Sequence, residues 1–272
     1  MTITLTIIGG MLAIFLIGTR RLAYKFKREV RILFSHSSNI SKNIFQFKEI
    51  ETLPEPVQRY FKFVMKDGQP FISYARLKHD GKFKTGLKNP WVNITGEEYF
   101  ATQRPGFIWK GTTSFFVARD MFIRNKGHLV VSLLSFYKIV DAKGDQYNQG
   151  ELLRWLGESV WFPTNFLPTE YLNWEAIDAN SAKLNFTYHD IKLYFWVTFN
   201  TLGEITQMET KRFMNKERLE TWIIDVSNYK KMNEIMIPTT AEVMWRLKDG
   251  DHCYAKFRVT ALEYGIPAMF NQ

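Results

Sequence analysis

AEVMWRLKDGDHCYAKFRVTA, residues 241–261, decides the fold class. Ala241, Val243, Trp245 and Leu247 alternate with Glu242, Met244, Arg246 and Lys248. After the turn Lys248-Asp249-Gly250-Asp251, Cys253, Ala255, Phe257, Val259 and Ala261 alternate with Tyr254, Lys256, Arg258 and Thr260. Successive side chains of a strand point to opposite faces. A period of two with one apolar row therefore marks an antiparallel hairpin with one wet side.

Outward from this hairpin the same period fills most of the chain from Phe71 onward. Further strands are predicted over 74–79, 92–102, 107–117, 121–124, 128–140, 171–177, 183–188, 192–199 and 204–213, about eleven in all. His79-Asp80-Gly81-Lys82 carries the Asp-Gly signal of a tight hairpin. No sequence period of about 20 to 50 residues repeats, which argues against a propeller. With 272 residues and a 16% aromatic share, the chain can fill one large β core without staples. The single cysteine, Cys253, excludes an intrachain disulfide and a cysteine-built zinc site.

Two stretches break the strand pattern. In LPEPVQRYFKFVM, residues 53–65, Val57, Tyr60, Phe61 and Val64 share one helical face behind Pro54 and Pro56, so a short helix is expected to close one end of the sheet. In GDQYNQGELLRWLGESVWFPTNFLP, residues 144–168, a helix is predicted over 150–159, capped by Asn148 or Asp145 and stopped at Trp161-Phe162-Pro163. Leu152, Trp155 and Leu156 face one way. Glu151, Arg154 and Glu158 lie three and four residues apart on the other side, within reach of a Glu-Arg-Glu ladder. Three readings stay open here. The ladder is a solvated face of a helix that plugs a curved sheet, as in a membrane-anchored scaffold without a pocket; it is a cluster in a cleft that does acid/base work of a hydrolase type or holds a cationic group, with Asp141 and Asp145 nearby; or Gln149, Trp155, Trp161 and Phe162 hold a hydrophobic, lipid-like ligand.

The N-terminus differs from everything after it. ITLTIIGGMLAIFLIG, residues 3–18, is free of charge and is followed by Thr19-Arg20-Arg21. A single transmembrane helix is expected over 3–19, at the short end for a bilayer of about 30 Å. Between Arg20 and Lys48, eight basic residues stand against the single Glu29, so seven of the nine net positive charges lie there. A basic linker over 20–52, meeting anionic headgroups through 20–48, accounts for them better than a nucleic-acid partner. Phe45 and Phe47 either enter the headgroup layer or are incidental aromatics of a linker. The positive flank follows the span, which puts the domain, residues 53–272, on the cytoplasmic side of an inner membrane. The periplasmic side is the alternative.

No GxSxG, Walker, HExxH or GxGxxG motif occurs, and His36, His79, His128, His189 and His252 are scattered singly. Neither a cofactor nor a metal site is expected. LPEPVQRYF, PGFIWKG, DQYNQGELLRWLGESVWFP and IPTTAEVMW, within residues 53–264, resemble an uncharacterised bacterial family, a domain of unknown function often found behind an N-terminal membrane helix. The resemblance rests most on QGELLRWLGESVWFP and singles out Gln149 to Arg154 and Trp161 to Pro163. The expected architecture is also similar to lipoprotein-carrier half-barrels. We therefore expect a mainly β protein: one large curved antiparallel sheet with one or two helices packed on it, behind a transmembrane helix.

Overall fold

Thirteen strands pair into one antiparallel sheet because the chain runs as two meanders that meet in the middle. A computed structural model describes residues 2–36 and 40–270, with side chains from residue 16. The first meander holds β1 (Tyr74–Phe83), β2 (Val92–Ala101), β3 (Gly106–Thr112), β4 (Phe116–Ile123), β5 (Lys126–Leu133) and β6 (Tyr137–Lys143). The second holds β7 (Leu172–Asp178), β8 (Ser181–Tyr188), β9 (Ile191–Phe199), β10 (Ile205–Phe213), β11 (Leu219–Met232), β12 (Ile235–Leu247) and β13 (Gly250–Tyr264). The order across the sheet is β6-β5-β4-β3-β2-β1-β13-β12-β11-β10-β9-β8-β7. The seam is β1 against β13, where Ala75 faces Tyr264 and Phe83 faces Ala255.

Both faces of the first meander are apolar. Phe100, Phe107 and Phe122 point inward, while their neighbours Tyr99, Ile108 and Met121 point outward. The inner face takes helix α3 (Asp145–Gly157), which links the two outermost strands, β6 and β7. Because α3 touches β3 to β6 on one flank and β9 and β10 on the other, the sheet wraps around it. Helix α2 (Glu55–Val64) buries Val57, Tyr60, Phe61 and Val64, as its spacing predicts. It closes one end of the sheet: Arg59 Nη2 donates to Ala179 O in the β7–β8 turn at 3.1 Å, and Lys66 pairs with Glu234 in the β11–β12 turn.

The outer face takes helix α1 (Thr2–Ser35). Phe26, Val30, Leu33 and Phe34, spaced as one helical stripe, pack on Tyr74, Tyr99, Ile108, Met121 and Phe270. Glu29 pairs with Arg119, which is 2% exposed on β4. The linker expected over 20–52 is thus helical and docked as far as Ser35. Its basic residues Arg20, Arg21, Lys25, Lys27, Arg28 and Arg31 all face solvent. Phe45 is fully buried against Phe61 and Phe47, under α2 rather than at a membrane surface. Among the described residues no helix is long and apolar enough to cross a membrane. The span predicted over 3–19 falls through residue 15 on side chains outside the described residues.

Four local readings change. Asp80-Gly81 is no hairpin: β1 runs straight through it, and a Cβ on Gly81 would lie 2.0 Å from Lys256 O of β13. The glycine lets the two halves close at the seam. The strand expected over 107–117 breaks at Thr113, whose hydroxyl accepts the Phe115 and Phe116 amides, so that β4 starts at Phe116. The strand expected over 128–140 is a hairpin, turned at Leu134 and Ser135, whose φ values are 46° and 67°. β11 was hidden because Trp222, Ile223 and Ile224 are buried consecutively and erase the alternation.

Candidate functional site

On the inner face one cross-strand row runs Leu77, Glu98, Trp109, Asp120, Leu129 through β1 to β5. Two carboxylates in an apolar row need partners, because desolvating a charge without one is costly. α3 supplies the partner. Arg154 lies over the Trp109 ring at 4.8 Å. From there it donates to Glu98 Oε1 at 2.9 Å, Asp120 Oδ2 at 2.9 Å and Glu158 Oε1 at 2.8 Å. Glu151, one turn earlier, belongs to a different guanidinium: Arg212 of β10, 3.6 Å away, which itself stacks on Trp222 at 4.4 Å. Gly150 makes room for it, since a Cβ there would approach Arg212 Nε to 3.2 Å.

The Glu-Arg-Glu face is therefore no solvated ladder; it is half of a buried six-residue cluster. Burial pushes Glu98 well above the usual carboxylate range, with facing Glu158 adding to it. Burial likewise raises Glu158, against the pull of Arg154. Glu151 is pushed up to about 8 by burial and by Asp120, Arg212 pulling the other way. Burial works against the charge of Arg154, but the surrounding carboxylates outweigh it and hold the guanidinium protonated. Beneath them, buried His79 is driven down to about 4, mainly by desolvation. It stays neutral and accepts the Trp109 indole N–H at 2.7 Å.

All of this cluster but Glu98 lines one pole of a cavity of about 640 Å³ between α3 and the sheet, well within the range of small-molecule sites. The remaining wall is largely apolar, including Ile94, Phe116, Val131, Trp161, Trp222, Ile224, Val243, Trp245 and Phe257. Asp120 Oδ1, Glu151 Oε2, Glu158 Oε2 and Arg212 Nε are buried there without a hydrogen-bond partner. A second depression, of about 660 Å³, lies by the β2–β3 and β4–β5 turns and is lined by none of the buried unpartnered groups among the described residues.

Of the residues chosen from sequence, Glu151, Arg154, Glu158 and Trp161 line the cavity. Trp155 and Phe162 do not. Trp155 donates to Ala101 O at 3.0 Å and Phe162 packs on Phe100 at 4.8 Å, both inside the core. Trp161 also anchors, donating to Pro238 O at 3.1 Å. Gln149 is half-buried outside the cavity, its Oε1 unpartnered. Asp141 pairs at the surface with His128 and Lys138, and Asp145 holds Asn148. Asn148 does not cap α3; its Oδ1 accepts the Gly127 amide at 2.8 Å and ties the helix to β5. Glu98, Asp120 and Arg212 are the members that sequence reasoning missed. Their signal is parity: Glu98 keeps step with Ile94 and Phe100, and Asp120 with Ala118 and Phe122.

Comparison with known proteins adds the following. No curated protein matches the chain. Solved structures similar to it include the following three. A LolA superfamily protein from Nitrosomonas europaea has 12% identity and a TM-score of 0.41, over 76% of this chain and 91% of that one. A DUF1329 family protein from Desulfovibrio piger has 11% identity and a TM-score of 0.41, over 72% and 87%. A putative outer membrane lipoprotein-sorting protein domain from Vibrio parahaemolyticus has 10% identity and a TM-score of 0.40, over 71% and 85%. Residues 43–257 match the family described as "Family of unknown function (DUF6544)", and the chain belongs to that family.

Proposed function

We propose that this member of the DUF6544 family binds a hydrophobic, lipid-like ligand in the cavity between α3 and the sheet, with its apolar part among the tryptophans and its polar end at the Arg154–Arg212 cluster. One observation carries the reading: a largely apolar-walled cavity of about 640 Å³ whose carboxylate-rich pole holds buried, unpartnered carboxylate oxygens. Such groups are costly to bury and are met at functional sites. The test is native mass spectrometry of the full chain, purified from membranes. The expected result is a discrete mass increment that extracts as lipid and disappears in Ala241→Trp, where the new indole fills the cavity. A parent protein that carries no ligand, and takes up none when offered lipid extract, overturns the reading.

The tether belongs to the same proposal. The charge-free run 3–18, the exposed basic face of α1 and a rim of exposed apolar side chains support it together. That rim comprises Phe115, Leu133, Leu134, Phe136 and Tyr137, and it adjoins α1 where Gly18 meets Phe136 and Ser135. Flotation of the full chain with anionic vesicles tests membrane attachment, and alkaline carbonate that strips the protein argues against a spanning helix. A reporter fused after Gln272 that is active only outside the inner membrane moves the domain to the periplasmic side.

An acid/base enzyme using Glu151, Glu158 and Arg154 is the second reading, favoured by the displaced titration of Glu151. Each nitrogen of Arg154 donates to a carboxylate, and the residue positions them. A hydrolytic activity that survives Glu151→Gln removes this reading.

A further inference from the structure

The polar pole of the cavity holds more carboxyl groups than guanidiniums, and a cation there can take the place of a carboxyl proton. Four carboxylates, Glu98, Asp120, Glu151 and Glu158, meet two guanidiniums, Arg154 and Arg212. Each nitrogen of Arg154 donates to one of the first, second and fourth of these. Glu151 is left with Arg212 at 3.6 Å, too long for a good hydrogen bond. Its Oε2 is buried and unpartnered, and the residue is 3% exposed. On the cavity wall, among the described residues, three unpartnered carboxylate oxygens stand against one unpartnered donor, Arg212 Nε. A ligand head that completes this pole supplies hydrogen-bond donors and positive charge.

Resting on the ligand-binding reading above, we propose that the cavity selects amphiphiles with a cationic amine head over those with neutral or anionic heads, and that Glu151 is the residue that reads the head's charge. An ammonium brings three donors and one positive charge to the acceptors that lack partners. A carboxylate head brings neither and meets Asp120 and Glu158 at close range. Asp120 of β4, Arg212 of β10, and Arg154 and Glu158 of α3 are the charged groups acting on Glu151. Burial and Asp120 keep Glu151 protonated at neutral pH, and an ammonium displaces that proton into solvent. Binding of the amine is therefore coupled to proton release, and binding of an alcohol is not.

Dodecylamine, dodecanol and dodecanoate share a chain and differ only in the head. Each is titrated, below its aggregation concentration, into the purified full chain. Trp109, Trp161, Trp222 and Trp245 line the cavity, so intrinsic fluorescence reports binding. The expected order is amine, then alcohol, then carboxylate, with the amine about tenfold tighter than the alcohol, as for a charge-assisted hydrogen bond. The amine's affinity rises from about pH 6 to about pH 8 while the alcohol's stays level. Glu151→Gln abolishes the amine's preference over the alcohol. Arg212→Gln acts in the opposite direction and widens the preference. Equal binding of amine and alcohol, or an equal loss of both in Glu151→Gln, overturns this inference and leaves ligand binding standing. If none of the three binds, the ligand reading itself falls.

Discussion

Arg154 rests on the Trp109 indole with carboxylates of β2 and β4 on either side and Glu158 above. A buried charge network of this kind gives little net stability when whole and is destructive when broken. Arg154→Leu, which leaves three buried carboxylates without their counter-ion, is expected to lower unfolding stability by about 3–5 kcal/mol in a denaturant titration. Glu151 gives a pH signature. Its folded value of about 8 lies above its ordinary 4.5, so the folded state holds more protons than the unfolded state between those limits. Its contribution is therefore largest below about pH 4.5 and is lost as pH rises through about 8. Glu151→Gln, neutral throughout, is expected to flatten the fall in melting temperature across that window relative to the parent. At this scale the sequence exposed half the cluster. Glu151, Arg154 and Glu158 are three and four apart on one helix, a spacing that can be read directly. Glu98, Asp120 and Arg212 come from three strands, and only the register of those strands brings them together.

Among the elements, α3 is the one the sequence marks best and also the one whose ends shift most. It runs Asp145–Gly157 and tightens into a 3-10 turn over Glu158–Trp161, where 150–159 was expected. The reason lies outside the helix. Asn148 is drawn to the β5 amide of Gly127, and a Cβ at Gly157 would come within 2.6 Å of the Ile224 side chain. Tertiary packing on both flanks sets the bounds. The alternation of 241–247 and 253–261 was legible because one face of that hairpin is wet; β11, buried on both faces at its centre, was not. Gly81 shows how a local signal misleads. Asp-Gly usually turns a hairpin, yet here the glycine is needed for contact with β13. Gly81→Ala is expected to cost about 1–3 kcal/mol, as overpacking at a rigid backbone does. Gly86→Ala is the control: its Cβ would meet only the flexible Asn89 side chain at 3.2 Å. It is expected to stay within about 0.5 kcal/mol of the parent.

For the whole molecule, curvature gives the two faces of the sheet different tasks. The inner face encloses the cavity, and the outer face carries α1, held by an apolar stripe and by the pair of Glu29 with buried Arg119. Glu29, the lone acid among eight basic residues between Arg20 and Lys48, adds an ion pair to the apolar docking contacts of that segment. Glu29→Ala leaves Arg119 buried and unpaired. It is expected to cost about 3 kcal/mol, and to make α1 accessible to limited proteolysis while the sheet stays resistant.

The seam between β1 and β13 also sets an order in time. A ribosome delivers the first meander early, with β1 as an open edge, and the strand that covers that edge is the last of these thirteen to be made. Until Gly250–Tyr264 emerges, the nascent chain presents unpaired backbone along what becomes the middle of the sheet. A message that stops short of β13 therefore leaves an open seam between two flanks joined through α3, instead of a protein with a frayed end.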